Sequence, residues 1–122
     1  MHFELTHEVC TLSVDVVFMG EDLSVCICGG VAHVGCCVMA VPRPSLTGVG
    51  MSATVSCLNR TGHMDDQIGA RVAKRLSAEL NCVVSCTCGI HVDSATKAQV
   101  ESLLSCADEL ADAVLVRVKE RG

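Results

Sequence analysis

The feature that most constrains the fold of this chain is an alternation of apolar and polar residues that returns in several separate segments. From Cys10 to Phe18 every even-numbered residue is apolar, whereas Thr11, Ser13 and Asp15 interrupt the odd positions. Successive side chains of a β-strand point to opposite faces, so a period of two predicts a strand with one buried face. The chain is therefore expected to build its core on one side of a sheet.

Four more segments have the character of strands. The segment after the turn residues 20–22 alternates like the first one, which predicts a hairpin that ends at Gly29 and Gly30. An apolar run then predicts a central strand, which Pro42 and Pro44 are expected to stop. The five predicted strands span Cys10 to Phe18, 23–28, about Val34 to Val41, Met51 to Leu58 and Cys82 to Cys88.

Two helices are predicted from apolar residues at helical spacing. The first spacing runs from Ile68 to Leu80, and Asn81 is a suitable left-handed end. Residues 96–99 fit a capping box, after which helical spacing continues to Val118. Residues 114–118 would also suit a sixth strand, but the basic residues around them favour a helix C-terminus.

These elements predict an α+β fold in a single domain over residues 1–122, with a mainly antiparallel sheet of five to six strands and two helices packed on one face. At 50% hydrophobic and 19% charged residues, the chain is too apolar to be disordered. No apolar run reaches the roughly 18 residues of a membrane span, and the N-terminus lacks the pattern of a secretory signal. We therefore expect a cytoplasmic protein.

The ten cysteines allow three interpretations: disulfides, metal ligands or small buried hydrophobic residues. A reducing cytosol and a domain of this length disfavour disulfides. No pair has the C-x-x-C spacing of zinc and iron-sulfur sites, although two clusters that each share a strand face leave a metal site open. Most of the cysteines lie where the strand period calls for valine or alanine, which favours core packing. The two clusters are Cys26 with Cys28, and Cys82 with Cys86 and Cys88.

Glycines precede three of the five histidines, His33, His63 and His91, at predicted strand or helix ends. Each of them alone is as well explained by ordinary hydrogen bonding near a turn. The repetition favours a shared site, and a metal ion held by the three is conceivable, although no known zinc spacing supports it. No nucleophile with a base and an orienting group is evident, so we do not expect an enzyme.

The charge pattern favours a local anion site rather than nucleic acid. The net charge is -5, with no basic block and only two aromatic residues on which a base could stack. Glycine backbone, hydroxyl groups and guanidinium groups nevertheless occur together in the middle of the chain, as a phosphate site requires. Surface arginines beside turn glycines are the alternative. The residues of this predicted anion site are Gly29, Gly30, His33, Arg43, Ser45, Arg60, Gly62 and His63.

Five segments in succession resemble a known family. They read GGVAHVG, VPRPSL, SATVS, GHMDD and GIHVD at 29–35, 41–46, 52–56, 62–66 and 89–93. This succession resembles the prenylated-flavin chaperone family, the LpdD-like accessory D subunits of gallate decarboxylase, whose fold is similar to that of proteasome assembly chaperones. The resemblance implies a non-catalytic accessory protein that binds prenylated FMN and assists maturation or cofactor loading of a UbiD-type decarboxylase.

On this resemblance, Arg43, Ser45 or Arg60 would hold the flavin phosphate, and His33, His63 and His91 would face the ring system or order the loops. The implied partner is the decarboxylase, and a homodimer is expected because a small sheet with an apolar edge benefits from pairing. We expect neither nucleic acid nor a membrane as a partner. Two other functions stay open: a protein-assembly module that binds a partner subunit without a small ligand, and a Cys/His metal-binding protein.

Overall fold

Six strands form one sheet in the computed structural model, which describes residues 1–60 and 65–121. Four of the five strand pairings are antiparallel, and the pairing of the third strand with the sixth is parallel. The mainly antiparallel sheet is therefore confirmed. The strands are β1 (His2–Thr6), β2 (Thr11–Met19), β3 (Asp22–Gly30), β4 (Cys36–Pro44), β5 (Met51–Asn59) and β6 (Val84–His91), in the order β1-β2-β3-β6-β4-β5.

The helices are α1 (Asp66–Leu80), α2 (Lys97–Ser105) and α3 (Ala107–Arg121), and α2 and α3 are two parts of one bent helical segment. Asn81 ends α1 in the left-handed conformation, with φ 51° and ψ 49°. Both hydrogen bonds of the Thr96–Gln99 capping box are present. Residues 114–118 lie within α3, so the helix prediction is confirmed and the strand alternative is wrong. None of the described helices is long and apolar enough to cross a membrane.

The core lies between the helices and one face of the sheet, as the alternation predicts. Leu12, Val14 and Val16 are at most 1% exposed, and so are Leu76 of α1 and Leu110 of α3. We call the opposite side of the sheet the open face, because no described element covers it. Its side chains at the centre of the sheet come from Cys26, Cys37, Met39, Ser85 and Thr87.

The sixth strand is β1, which the sequence analysis missed. β1 is a short edge strand that pairs with β2, and Phe3 lies beside Val14 in that pairing. Phe3 is 9% exposed, and the guanidinium of Arg117 covers its ring at 3.9 Å from the centroid. Only these tertiary contacts stabilise a five-residue strand, since its own alternation is too short to be distinctive.

The predicted end of the central strand was wrong, because β4 continues through Pro42 and Pro44. Two backbone hydrogen bonds join β4 and β5 just beyond their ends: Arg60 donates to Gly35, and Ser45 donates to Gly50. In an antiparallel pair this alternation means that odd-numbered residues of β4 direct their N–H groups towards β5. Even-numbered residues face the opposite side, towards β6, so Pro42 and Pro44 lack a donor only on that side. β6 pairs with β4 no further than Ala40, so that side needs no donor there.

Strands β3 and β6 also include the glycines that were expected to end them: β3 continues to Gly30, and β6 continues beyond Gly89 to His91. Their parallel pairing runs from Leu23 with Val84 to Gly30 with His91. Each strand supplies the hydrogen-bonding partner that lets the other continue, which the sequence of neither strand reveals. β6 begins at Val84 instead of Cys82.

The thiols divide into a buried and an accessible set, and all ten are free. Core packing is confirmed for half of them. Burial raises the pKa of the Cys106 thiol to about 11, and burial also raises the pKa of Cys86. The buried cysteines are Cys36, Cys82, Cys86, Cys88 and Cys106; the exposed ones are Cys26, Cys37 and Cys57; Cys10 and Cys28 are partly buried.

Iodoacetamide is expected to alkylate the exposed Cys57 in the folded protein and to reach Cys86 and Cys88 only after unfolding, because a thiolate must form and be accessible to react. Mass spectrometry of peptides from native and urea-treated samples measures each site. Alkylation of Cys86 in the native protein as fast as that of Cys57 would contradict this burial.

Candidate functional site

The candidate site lies at the end of the sheet where β3 and β6 finish side by side. Gly30 and His91 are paired there, β4 begins at Cys36, and β5 ends at Asn59. The antiparallel course of β4 against β6 brings the segment before β4 to the same end. We call the residues that meet here the sheet-end cluster; they are Gly29, Gly30, His33, Arg60, Asp65 and His91.

Asp65 is the centre of the sheet-end cluster, although it is only 6% exposed. Its Oδ1 accepts the backbone N–H of Ile90 at 2.8 Å, and its Oδ2 lies 3.2 Å from Nε2 of His33. Its main-chain carbonyl accepts the amide of Gly69 and so begins α1. One carboxylate thus connects the start of α1, the end of β6 and the segment before β4. Asp65 was not among the site residues predicted from the sequence.

Two glycines allow this close packing. A Cβ at Gly35 would collide with the Asp65 carboxylate, and a Cβ at Gly89 would collide with the main-chain carbonyl of His33. Any larger residue would separate the segment before β4 from the end of β6. These glycines therefore hold His33 against Asp65.

The two described histidines of the cluster differ in exposure and partners. The side chain of His33 is 16% exposed, and its Nδ1 lies 3.1 Å from the carbonyl oxygen of Val31. His91 is 54% exposed, and its Nε2 lies 2.9 Å from the Asp93 carboxylate. The ring centroids are 6.4 Å apart in an edge-to-face arrangement. His33 is thus fixed in the structure, whereas His91 is accessible to a ligand.

Arg60 supplies positive charge at this end of the sheet. Its backbone N–H donates to Gly35 at 2.9 Å, and its Nη1 donates to the carbonyl oxygen of Val34 at 3.3 Å. These bonds leave most of the guanidinium N–H groups available, since arginine carries five. An anion could therefore be bound here by a forked, charge-assisted contact.

A cavity of about 500 Å³ opens beside the cluster, between the end of β6 and the helices. Its polar edge is formed by Asp65, His91 and Ser94. Mostly apolar walls with a few polar groups are typical of cofactor sites of this size. The apolar walls are formed by Ile68, Ile90, Val92, Leu103 and Leu104, with Ala95 and Val100.

The structure does not bring all the predicted site residues together. Arg43 lies seven residues along β4 from Cys36, roughly 23 Å away at the usual strand rise. Its Nε donates to Thr54 at 3.0 Å, and Ser45 lies in the following loop, where its hydroxyl bonds Thr47. Gly62 and His63 lie outside the described residues.

Arg43 has instead a second group of cations beside it. A cavity of about 490 Å³ between β5 and α1 is lined by Arg43, Arg71 and Lys74, together with Thr54 and Gln67. The two predicted phosphate-binding arginines therefore belong to two separate sites.

Two neighbouring buried thiols, those of Cys36 and Cys88, lie beneath the sheet-end cluster. They are direct neighbours across β4 and β6. The hydrogen bond between them lowers the pKa of Cys36 and raises the pKa of Cys88. Among residues 1–60 and 65–121, no three His, Cys, Asp or Glu side chains are placed to hold a metal ion.

Comparisons with known proteins agree with this architecture. The family model of the prenylated flavin chaperone LpdD-like domain matches residues 6–119. Protein LpdD of Lactiplantibacillus plantarum (strain ATCC BAA-793 / NCIMB 8826 / WCFS1) is 31% identical over 100 residues, which are 80% of this chain and 69% of LpdD. The resemblance drawn from the sequence is confirmed.

A solved structure has a similar fold. A chain in the crystal structure of a chaperone complex for yeast 20S proteasome assembly superposes with a TM-score of 0.59. The superposition covers 98% of this chain and 95% of that chain, at 14% sequence identity. At this identity the similarity concerns the fold alone.

Replacing Asp65 with alanine is expected to lower the free energy of unfolding by about 1–3 kcal/mol, because the partly buried N–H of Ile90 loses its acceptor. Urea denaturation measures the change. Asp93→Ala is the matched control: its side chain is 84% exposed, so its effect should stay within about 0.5 kcal/mol. Equal effects of the two variants would contradict the central role of Asp65.

Proposed function

This chain belongs to the prenylated flavin chaperone LpdD-like family, and from that premise we propose that it is a non-catalytic, cytoplasmic accessory protein that binds prenylated FMN. Its proposed role is to assist cofactor loading or maturation of a UbiD-type decarboxylase. The observation that carries the proposal is the cavity beside the sheet-end cluster, which has apolar walls and an accessible histidine at its edge.

The walls of the cavity fit a flavin ring system. A prenylated isoalloxazine is broad and largely apolar, and Ile68, Leu103 and Leu104 offer it an aliphatic surface. Phe3 and Phe18 do not stack on it in this proposal, because the guanidinium groups of Arg117 and Arg121 cover their rings at 3.9 and 3.8 Å. The flavin is therefore held by aliphatic contacts and by His91 at the edge of the cavity.

Arg60 is the proposed partner of the flavin phosphate. Its backbone is fixed by the bond to Gly35, so the guanidinium extends from a rigid position. Gly29 and Gly30 add backbone close to the end of β6, while the contacts of His33 with Asp65 and Val31 assign it a positioning role. Arg43 and Ser45, the other phosphate ligands implied by the resemblance, lie at a different place in the fold and are not part of this proposal.

Replacing Arg60 with alanine is expected to weaken the binding of prenylated FMN by roughly 10- to 100-fold, the equivalent of one charge-assisted hydrogen bond. His91→Ala should weaken it less, because its contact is with the ring system. Titration of purified protein, followed by flavin absorbance and by calorimetry, measures both constants.

Arg43→Ala is the matched control for this titration, because it removes the same charge at the other end of β4. Its dissociation constant should stay within about twofold of the wild-type value. If the wild type retains no flavin, the proposed function is wrong. If Arg43→Ala weakens binding as strongly as Arg60→Ala, the phosphate binds beside β5 instead of at the sheet end.

We also propose that two copies pair through the open face of the sheet. Exposed apolar side chains are concentrated there: Met39 is 52% exposed, Val17 is 59% exposed and Leu58 is 80% exposed. Exposed apolar side chains on one face of a sheet are typical of an interface between subunits. Stacking two open faces would cover these side chains without involving the helices.

Met39→Glu is expected to convert such a dimer into a monomer, because it would place a charge on each side of the symmetric contact. Val116→Glu on α3 is the matched control, since Val116 is 53% exposed on the helical side of the molecule. Sedimentation velocity over a range of protein concentrations measures the change. A wild-type protein that is monomeric throughout, or equal behaviour of the two variants, would contradict the proposal.

A further inference from the structure

Strand β5 is an unusually open edge of the sheet. It is nine residues long, ends the strand order, and contains neither proline nor a charged residue. Proteins commonly protect such an edge with a lysine, a proline or a bulge, because its free backbone groups pair readily with another strand. β1, at the opposite edge, has only five residues. The edge of β5 is therefore the better template for a strand from another molecule.

The register identifies the backbone groups that β5 offers. The amides of Ser45 and Arg60 bond across the β4–β5 pair, which fixes the alternation of hydrogen-bonded positions between them. Even-numbered residues of β5 consequently direct their N–H groups towards β4. The N–H groups of Ala53, Val55 and Cys57 point away from the sheet.

Positive charge lies directly beside this edge. Gln67, Arg71 and Lys74 occupy one face of α1 at helical spacing, and together with Arg43 they line the cavity of about 490 Å³ next to Thr54. We call this cavity and the adjoining edge of β5 the basic groove. No carboxylate is among the residues that line the cavity.

The cations of the basic groove are available to a partner. Within the described residues, the Arg43 side chain donates hydrogen bonds only to the Thr54 hydroxyl and to the carbonyl oxygen of Pro44. Lys74 forms no ion pair with any described residue. Arg71 lies 3.5 Å from Asp108, but both side chains are more than half exposed. Such an exposed ion pair contributes little to the stability of the fold, so Arg71 can exchange Asp108 for a carboxylate of a partner.

From the free edge and the flanking cations, we propose that the basic groove binds an extended, acidic segment of a partner protein, which adds to the sheet as a strand beside β5. The outward amides recognise its backbone, and Arg43, Arg71 and Lys74 recognise its carboxylates. A second copy of this chain is a poorer occupant. Pairing two β5 edges would bring two basic grooves to one seam and make like charges repel.

The probe for this proposal is a capped decapeptide of alternating glutamate and threonine. Calorimetry should detect its binding, and binding should weaken with salt. In hydrogen exchange followed by NMR, the amides of Ala53, Val55 and Cys57 should gain protection. The amides of Ser52, Thr54 and Ser56 should not change, because they already bond β4. Only strand addition at this edge produces that alternation.

Two peptide controls separate strand pairing from simple charge attraction. A decapeptide of alternating lysine and threonine should not bind. A glutamate-threonine decapeptide that is N-methylated at every residue keeps every negative charge but has no backbone N–H group to donate, so it should bind at least tenfold more weakly. Equal binding of the N-methylated peptide would overturn the proposal, because the groove would then be a charged patch only.

The variant that tests the cations is Arg71→Glu combined with Lys74→Glu, which should weaken binding of the glutamate-threonine peptide at least tenfold. Lys97→Glu combined with Lys119→Glu makes the same change of net charge on exposed residues elsewhere and should leave binding unchanged. Unchanged binding by the groove variant would overturn the proposal. So would protection of the β5 amides that grows with protein concentration in the absence of peptide, because a second copy would then be the occupant.

The peptide experiment is independent of the proposed flavin site. The groove variant should bind prenylated FMN like the wild type, and Arg60→Ala should bind the peptide like the wild type. Loss of flavin binding alone would count against the proposed function, and loss of peptide binding alone would count against this inference.

Discussion

The parallel pairing of β3 with β6 is the interaction on which the rest of the structure depends. It joins the β1–β2–β3 meander to the β4–β5 hairpin, with β6 inserted between them. Because parallel strands end at the same edge of a sheet, it also places Gly30 beside His91. The bond from the Ile90 amide to Asp65 then attaches the start of α1 to that edge. The same strand pairing therefore determines both the sheet order and the position of the candidate flavin site.

The sheet has three kinds of surface, and each suits a different contact. The helical face is closed by α1 and α3 and forms the core. The open face carries exposed apolar side chains and is suited to a second copy. The edge of β5 has free backbone groups with cations beside it, so it is suited to an acidic strand. The cavity at the sheet end is a fourth place, separate from the core, to which the proposed flavin is assigned.

Much of this architecture follows from local rules. The pattern of apolar residues located five strands, helical spacing located the helices, and the capping box at Thr96 and the left-handed Asn81 were correct to the residue. The burial of Cys86 and Cys88 followed from the same pattern. The errors lie where a non-local partner decides. β4 passes Pro42 because no strand pairs on that side, and β1 exists because β2 supplies a partner.

The sequence by itself determined the α+β class, the family and the residue chemistry of a phosphate-friendly, glycine-rich centre, since each of these depends on patterns read along the chain. Only the tertiary structure decided how those residues are grouped. It placed His33, Arg60 and His91 at one end of the sheet and Arg43 at the other, and it made Asp65 the centre of the first group. The physical reason is strand order: residues become neighbours through pairing across the sheet, and nothing within β3, β4 or β6 alone specifies which strand will lie beside it.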